Sequence, residues 1–256
     1  MMATNVRITD IVEETPSTKT FFLDASLDYI PGQYVMVWIH GVDEIPMSLS
    51  YPNAITVQKV GDATSALFKL KAGDRIGVRG PLGNGFVLKG KSILLVGGGV
   101  GTAPLAPLAE KAKNKNISVK ALIGAKTDRE LLFVERFEKS GDISIATDDG
   151  SRGYKGTIIE VVSKLDLQEF EGIYSCGPER MMSQVLNIAK NTGMTRMAQF
   201  SLHRYIKCGI GVCGSCCIDP SGLRVCRDGP VFNGEQLMDS EFGKYMRDGS
   251  GRRILI

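Results

Sequence analysis

The residues with the clearest chemistry are the cysteines near the end of the chain. Five of the six fall between residues 208 and 226, and Cys208, Cys213, Cys216 and Cys226 follow the spacing C-x4-C-x2-C-x9-C. The first three positions match the plant-type spacing of iron–sulfur ligands, in which thiolates from one tight loop surround two irons. Glycines between the cysteines would let the loop bend and point backbone N–H groups at the sulfurs. The spacing therefore predicts a [2Fe–2S] cluster bound by these four cysteines.

Two other interpretations of the cysteines stay open at this point. A structural zinc site usually has two C-x2–4-C pairs separated by a longer insert, whereas this chain has one such pair. The cysteines could also be plain buried thiols. Cys217 directly follows Cys216 and competes with it as a ligand; the two-residue spacing favours Cys216 and makes Cys217 a packed thiol.

Composition argues against several other functions. The chain has 256 residues, 31 of them basic and 28 acidic, for a net charge of +3, and it has no basic run typical of nucleic-acid binding. No apolar segment approaches the roughly 20 residues of a membrane helix, and no signal peptide is visible, so we expect a soluble, cytoplasmic protein. Because His40 and His203 are the only histidines, catalysis by histidine is not expected.

Three segments would position the cysteines. Residues 1–89 contain short runs rich in Val, Ile and aromatic residues, such as 34–39 and 55–60, separated by Pro-Gly and Gly-Asp turns; this predicts an antiparallel β-barrel. In residues 90–198 apolar strands alternate with helical segments, which predicts an α/β domain with a parallel sheet and helices on both faces. Residues 199–256 would form a small cluster-binding module and a tail. The expected strands of the α/β domain are 92–96, 118–123, 143–146 and 173–176, and the expected helices are 103–113, 129–139, 156–164 and 179–191.

Two turns of the α/β segment could bind a dinucleotide. Residues 97–104 join a strand to a helix, where glycines would let a pyrophosphate approach the helix N-terminus. Thr102 stands where the Rossmann pattern G-x-G-x-x-G has its last glycine, so a tight structural turn is an equal alternative. Residues 176–178, Cys-Gly-Pro, follow the fourth strand at the sheet edge where ligands bind. They could instead simply begin a helix, with proline in its first turn.

Together these motifs resemble the ferredoxin–NADP reductase family. The segments that carry the resemblance are 31–35, 46–48, 80–83, 97–104 and 176–178. The cysteine run 208–216 and the segment 224–232 narrow it to the electron-transfer subunits of two-subunit dihydroorotate dehydrogenases. The resemblance covers about residues 4–240, and the cysteine run is its most specific part.

The resemblance implies that the barrel binds FAD. In the family an Arg-x-x-Ser segment holds the flavin, with its Ser near the reactive ring; Ser48 matches, but Ile45 stands in place of Arg. A Gly-Thr pair usually meets the pyrophosphate, and here Ala63 precedes Thr64. Lys59 could supply the positive charge that Ile45 does not. The residues expected at FAD are Pro46, Met47, Ser48, Gln58, Lys59, Val60 and Thr64.

The resemblance also implies that the α/β segment binds NAD(H). Residues 148–151 resemble a family loop beside that site. NAD and NADP are not distinguished, because Lys126 and Arg129 follow the second strand, where a 2′-phosphate would bind, yet are also ordinary surface charges. The residues expected at NAD are Gly97, Gly98, Gly99, Gly101 and Thr102 at the pyrophosphate and Cys176 near the nicotinamide.

The implied function is an electron relay with a partner, and no residue of this chain is expected to act as an acid or base. An FMN-containing catalytic subunit of dihydroorotate dehydrogenase would oxidise dihydroorotate, and electrons would pass through the cluster and FAD to NAD+, within a heterotetramer that serves pyrimidine biosynthesis. One alternative is an NAD(P)H-linked reductase subunit of a ferredoxin, hydrogenase or sulfide-linked complex; Cys208 favours the dihydroorotate partner, since some of those relatives have Asp there. An alternative of another class is a zinc-stabilised, non-catalytic interaction module.

Overall fold

The N-terminal part of the fold is a closed barrel of six strands. The computed structural model describes residues 2–256. The strands close in the order β1-β2-β5-β4-β3-β6, and every neighbouring pair that is registered is antiparallel. The predicted antiparallel barrel is therefore confirmed. Its strands are β1 Thr4–Thr15, β2 Thr18–Leu23, β3 Tyr34–Ile39, β4 Asp43–Tyr51, β5 Ala54–Gln58 and β6 Arg75–Leu82.

Strand β3 is buried on both of its faces except at Trp38. Side chains alternate across a strand, so Val35, Val37 and Ile39 point into the barrel core. Tyr34 and Met36 point the opposite way and belong to the core that the barrel shares with the C-terminal module. This strand is therefore the wall between the barrel and the cysteines.

A short helix, α1 (Asp62–Leu67), lies between β5 and β6. From the sequence, only strands were expected in this region. A helix of six residues is too short to show a periodic apolar pattern, and its residues other than Leu67 are polar or small. The helix packs Leu67 into the barrel core.

The second part is a seven-stranded sheet in the order β10-β9-β8-β7-β11-β12-β15. Its pairs are parallel except for the antiparallel edge pair β12–β15. The predicted parallel sheet is confirmed. Its strands are β7 Ser92–Gly98, β8 Ser118–Ala125, β9 Asp142–Thr147, β10 Tyr154–Lys155, β11 Gly172–Cys176, β12 Ala198–Ser201 and β15 Val231–Asn233.

Helices cover both faces of this sheet, as predicted. They are α2 Ala106–Asn114 and α3 Val134–Ser140 on one face, and α4 Ile158–Val162 and α5 Glu179–Asn191 on the other. Helix α5 has the predicted bounds. Helices α2 and α3 begin later than predicted because a 3-10 turn precedes each of them, at Gly99–Thr102 and Asp128–Glu130.

The C-terminal module packs against both other parts. Its strand β15 extends the large sheet by pairing with β12. The tail, for which we made no prediction, ends in the hairpin β16–β17. None of the helices described between residues 2 and 256 has the length and the apolar composition of a membrane span. The remaining elements are β13 Cys217–Ile218, β14 Leu223–Arg224, α6 Val225–Asp228, α7 Gly234–Leu237, β16 Tyr245–Arg247 and β17 Arg253–Leu255.

Candidate functional site

The cysteine loop already directs backbone N–H groups at the sulfurs. Gly211 donates to Sγ of Cys226 at 3.1 Å, and Val212 donates to Sγ of Cys208 at 3.4 Å. The N–H of Cys226 donates to Sγ of Cys216 at 3.4 Å. Such contacts spread negative charge on thiolate sulfur and tune the potential of a bound cluster. The loop therefore has the donor arrangement that an iron–sulfur site requires.

The loop takes this shape because of its glycines. Gly209, Gly211 and Gly214 have φ values of 70°, 79° and 75°. A side chain with a Cβ rarely adopts this left-handed region, whereas glycine adopts it freely. The spacing of glycine among the cysteines is thus what allows the backbone to turn repeatedly around the sulfurs.

The four thiols differ in burial and in proton affinity. Cys216 and Cys226 are buried, Cys208 is partly buried and Cys213 is exposed. Burial raises the pKa of Cys226 to about 12, with the neighbouring Cys216 thiol adding to the effect. Burial also opposes ionisation of Cys208, but backbone N–H groups, led by that of Cys213, outweigh it and lower the pKa to about 6. Metal binding must therefore displace a tightly held proton at Cys226.

The thiols affect the proton affinity of one another mainly in pairs. The side chain of Cys213 helps to lower the pKa of Cys208, and the side chain of Cys216 helps to raise the pKa of Cys226. Zinc requires four donors around a single ion, whereas a [2Fe–2S] cluster places two protein ligands on each iron. The four soft sulfur donors in two pairs fit the two-iron cluster.

Cys216, and not its neighbour Cys217, faces the other thiols. Its side chain is buried in the core and accepts the N–H of Cys226. Cys217 is half-buried in β13, where it is paired with Arg224. The choice of Cys216 as the ligand stays a prediction, and this geometry supports it.

Tyr34 joins the barrel to the cysteine loop. Its buried hydroxyl donates to the carbonyl of Cys226 at 3.0 Å and lies 3.3 Å from the carbonyl of Gly209. On the neighbouring strand, Tyr34 is registered with Ser48, the serine expected near the flavin ring. One residue of β3 is thus in contact with the cysteine loop and paired with the predicted flavin strand.

Arg79 on β6 contacts the same loop. Its Nη1 donates to the carbonyl of Cys208 at 3.1 Å. Its Nε and Nη2 donate to the carboxylate of Glu44 on β4 at 3.1 and 2.9 Å. The guanidinium therefore forms a two-pronged ion pair within the barrel wall while its third nitrogen reaches the cysteine loop.

The residues predicted at FAD lie along one part of the barrel with different exposure. Pro46, Met47 and Ser48 on β4 and Gln58 at the end of β5 are partly exposed, and Lys59 and Val60 beyond β5 are exposed. Ile45 packs against the barrel core, so no cationic side chain stands where the family has Arg. The exposed Lys59 is followed by the exposed apolar side chain of Val60. The Lys59 amine would supply the positive charge that the phosphates of a flavin nucleotide need.

Thr64 has a hydroxyl that is already engaged. Its Oγ1 accepts the N–H groups of Val60 and Gly61 at 2.9 Å each and donates to the carbonyl of Gly61. These contacts hold the chain that leads into α1. Thr64 would therefore contribute to FAD binding by shaping this turn, with its side chain turned inward.

The glycines predicted to bind NAD allow close contacts within the 97–102 turn and between it and the 176–178 turn. A Cβ added to Gly97 would lie 2.5 Å from Cγ2 of Thr102, and one added to Gly101 would lie 2.4 Å from Cα of Gly177. Gly98 is equally restricted, by Met181. Gly99 differs, because it has a φ of 53° and no atom within 4 Å of its added Cβ. The turn therefore has free space at Gly99 and close contacts at the other glycines. A pyrophosphate could approach the backbone at Gly99.

Thr102 and Cys176 complete this region. Thr102 is buried, and its hydroxyl donates to the carbonyl of Gly99 at 2.6 Å, so it fixes the turn. Cys176 ends β11, registered with Gly97 on one side and Ser201 on the other. Burial raises the pKa of Cys176 to about 12, which keeps the thiol neutral. Strand β5 of the barrel contacts the Gly99–Thr102 turn, so the predicted FAD and NAD sites adjoin.

Three residues of this region have no role predicted from the sequence: Tyr34, Glu44 and Arg79. The contacts of Tyr34 and Arg79 with the loop join residues more than a hundred positions apart, and Glu44 pairs with Arg79 from another strand. No local pattern in the sequence marks these contacts.

Comparison with known proteins gives consistent results. The iron-sulfur cluster binding domain of dihydroorotate dehydrogenase B matches residues 203–238. The probable dihydroorotate dehydrogenase B (NAD(+)), electron transfer subunit of Methanocella arvoryzae is 58% identical, over 100% of both chains. The protein of the same name from Methanocaldococcus jannaschii is 47% identical, over 97% of this chain and 96% of that one.

Solved structures share the fold. The structure of an NADH-dependent reduced ferredoxin-NADP oxidoreductase matches with a TM-score of 0.81 and 31% identity, over 90% of this chain and 88% of that one. The ferredoxin reductase of carbazole 1,9a-dioxygenase matches with a TM-score of 0.69 and 22% identity, over 77% and 68%. These matches confirm the predicted reductase-like fold with its iron–sulfur module. On the full-length identity to its curated relatives, the chain belongs to the family of dihydroorotate dehydrogenase B electron transfer subunits.

Proposed function

We propose that this chain is the electron-transfer subunit of an NAD+-linked dihydroorotate dehydrogenase. It would relay electrons from an FMN-containing catalytic subunit, through its own [2Fe–2S] cluster and FAD, to NAD+ in pyrimidine biosynthesis. The observation that carries the proposal is the contact between Tyr34 and Cys226, because it joins the cysteine loop to the strand registered with Ser48. The relay needs its cofactor sites to be neighbours, and this contact supports that order.

The chain's own residues would position the cofactors and exclude water. A flavin, when bound, exchanges two electrons with a nicotinamide and single electrons with an iron–sulfur cluster, so its site must lie between the other two. On one side of the predicted flavin site, strand β4 pairs with β3, and β3 in turn packs against the cysteine loop. On the other side of the predicted flavin site, strand β5 contacts the Gly99–Thr102 turn, where NAD is predicted to bind.

The individual roles follow from the geometry. Backbone N–H groups of the loop would stabilise the four thiolates. The glycine turn would receive the pyrophosphate of NAD, and the neutral Cys176 thiol would lie beside the nicotinamide without exchanging a proton. No acid or base from this chain is needed, because hydride and electron transfer are performed by the cofactors.

The partner would dock at the exposed side of the cysteine loop. Cys213 is exposed there, and Ile210 and Val212 are 53% and 78% exposed. Apolar side chains beside an outermost cluster ligand are suited to a protein surface that delivers electrons. We propose that the catalytic subunit covers this loop in a heterotetramer. A cytoplasmic location is supported by the six cysteines, all of which are free thiols in the structure.

The test is reconstitution with the catalytic subunit. The two proteins are co-expressed and purified together, and NAD+ reduction is followed with dihydroorotate as the electron donor. We expect NADH formation to require this chain. If the catalytic subunit alone reduced NAD+ at the same rate, the proposed role would be wrong.

A second candidate is the reductase subunit of a ferredoxin-linked complex. It is favoured by the structural match to the ferredoxin-NADP oxidoreductase. The same preparation distinguishes the two functions when reduced ferredoxin replaces dihydroorotate as the donor. NAD+ or NADP+ reduction with ferredoxin, and none with dihydroorotate, would favour this second candidate.

A further inference from the structure

Arg79 places a fixed positive charge against the cysteine loop on its barrel side. We propose that Arg79 raises the reduction potential of the [2Fe–2S] cluster, and that its ion pair with Glu44 sets how much of that charge the cluster experiences. Arg79 is thus a positioning residue for electron transfer between cluster and flavin. The inference rests on the proposed function, since it requires the cluster to be present.

The guanidinium is held in place from two directions. Glu44 accepts from Nε and Nη2, and the carbonyl of Cys208 accepts from Nη1 at 3.1 Å. Two of its nitrogens lie 3.3 and 3.4 Å from the position that a Cβ would take on Gly209. The positive charge of Arg79 therefore contacts the backbone of the first predicted cluster ligand, Cys208, and of the glycine that follows it.

Arg79 is the most buried of the arginines that donate to carbonyls of this loop. Its side chain is 11% exposed, whereas Arg224, which donates to Gly211, is 32% exposed, and Arg247, which donates to Cys217, is 27% exposed. Solvent screens a buried charge less than an exposed one. Of the three cations, Arg79 should consequently have the largest effect on the cluster.

The sign of the effect follows from the charge change on reduction. Each electron accepted adds one negative charge to the cluster and its thiolates. A cation fixed nearby stabilises that reduced form, and this raises the reduction potential. Glu44 accepts from the other two nitrogens of the guanidinium, and the negative charge of its carboxylate opposes part of the effect. Removing Arg79 and removing the charge of Glu44 should therefore shift the potential in opposite directions.

The experiment measures the cluster potential by an EPR-monitored redox titration of the purified complex. At a fixed applied potential, Arg79→Gln should lower the ratio of reduced to oxidised cluster about tenfold, which for a one-electron couple is about 59 mV. Glu44→Gln should raise the same ratio severalfold, and Arg79→Lys should stay close to the wild type. Arg75→Gln, an exposed position on the same strand, is the matched control and should leave the ratio unchanged.

The outcomes separate this inference from the function on which it rests. Equal potentials in Arg79→Gln and the wild type would overturn it, as would shifts of Arg79→Gln and Glu44→Gln in the same direction, which indicate a loosened loop. If Arg79→Gln retains no cluster, an unshifted Glu44→Gln variant overturns the inference. If the wild type shows no reduced-state [2Fe–2S] signal, the proposed function falls as well. Dihydroorotate-dependent activity with an unmoved potential overturns only the role of Arg79.

Discussion

The hydroxyl of Tyr34 donates to the carbonyl of Cys226, 192 residues further along the chain, at a distance of 3.0 Å. The donor lies on the face of β3 that points away from the barrel core, and the acceptor belongs to the last predicted cluster ligand. This single hydrogen bond connects the barrel wall to the module that would hold the cluster. Because both groups are buried, neither can exchange its partner for water.

Tyr34→Phe should destabilise the attachment of the module to the barrel. It leaves the carbonyl of Cys226 without its buried donor, which costs about 1–3 kcal/mol. For a chain of this size we expect a Tm lower by several degrees, roughly 2–4 °C for each kcal/mol. Thermal unfolding measured by circular dichroism checks this. The control is Tyr154→Phe, which removes a hydroxyl contact with Glu160 at the surface and should leave the Tm within a degree or so.

Cys216→Ser and Cys217→Ser should differ in iron content. Cys216 is buried and accepts the N–H of Cys226, so its replacement removes one of the four predicted ligands. Cys217 lies in β13, facing Gly214, and its replacement should leave the cluster intact. Iron and sulfide analysis with visible absorption gives the result. If Cys217→Ser lost its iron and Cys216→Ser kept it, Cys217 would be the ligand and Cys216 the packed thiol.

Gly101→Ala should weaken NAD(H) binding. Its Cβ would lie 2.4 Å from the backbone of Gly177, so the two turns of the nucleotide site must separate. We expect the KM for NADH to rise at least about tenfold, since a displacement of this size disturbs a whole binding turn. NADH-dependent dye reduction measures it. Gly193 lies outside the two turns of the predicted nucleotide site and has open space around it, so Gly193→Ala should leave the KM unchanged.

Cys176 should resist alkylation at neutral and slightly alkaline pH. Burial raises the pKa of this thiol from 9.0 to about 12, so the reactive thiolate is lost as the pH falls below 12. At pH 8 its thiolate fraction is about a thousandfold smaller than that of an unperturbed thiol. Iodoacetamide treatment followed by peptide mass spectrometry checks this, with the urea-unfolded protein as the fully labelled control. Rapid labelling of the folded protein would contradict the raised pKa of this thiol.

Lys59→Ala should reduce the FAD content of the purified protein. Lys59 is exposed beside the residues predicted at the flavin, and Ile45 provides no charge to the phosphates. Loss of one charged contact with phosphate is expected to weaken binding about tenfold or more. The flavin-to-protein absorbance ratio after gel filtration gives the answer, with the exposed Lys69→Ala as the control. Full FAD content in Lys59→Ala would remove Lys59 from the site.

The sequence by itself determined the local features of this protein. The spacing of Cys208, Cys213, Cys216 and Cys226 predicted a cluster because one loop must surround two irons, and the glycines between them do adopt left-handed conformations. The alternation of apolar strands and helices predicted the parallel sheet, and helix α5 has the predicted bounds. These features depend on neighbouring residues, whose spacing is visible in the chain.

Only the tertiary structure decided which distant residues meet. The pairing of β15 with β12 adds a strand of the last segment to the large sheet, and the contact of Gly101 with Gly177 brings two turns together. Arg79 reaches Cys208 across 129 positions of sequence. Such contacts depend on how strands are ordered in a barrel and a sheet, and no periodicity of one strand specifies its neighbours. The sequence therefore predicts which cysteines are the ligands, and the fold decides which side chains surround them.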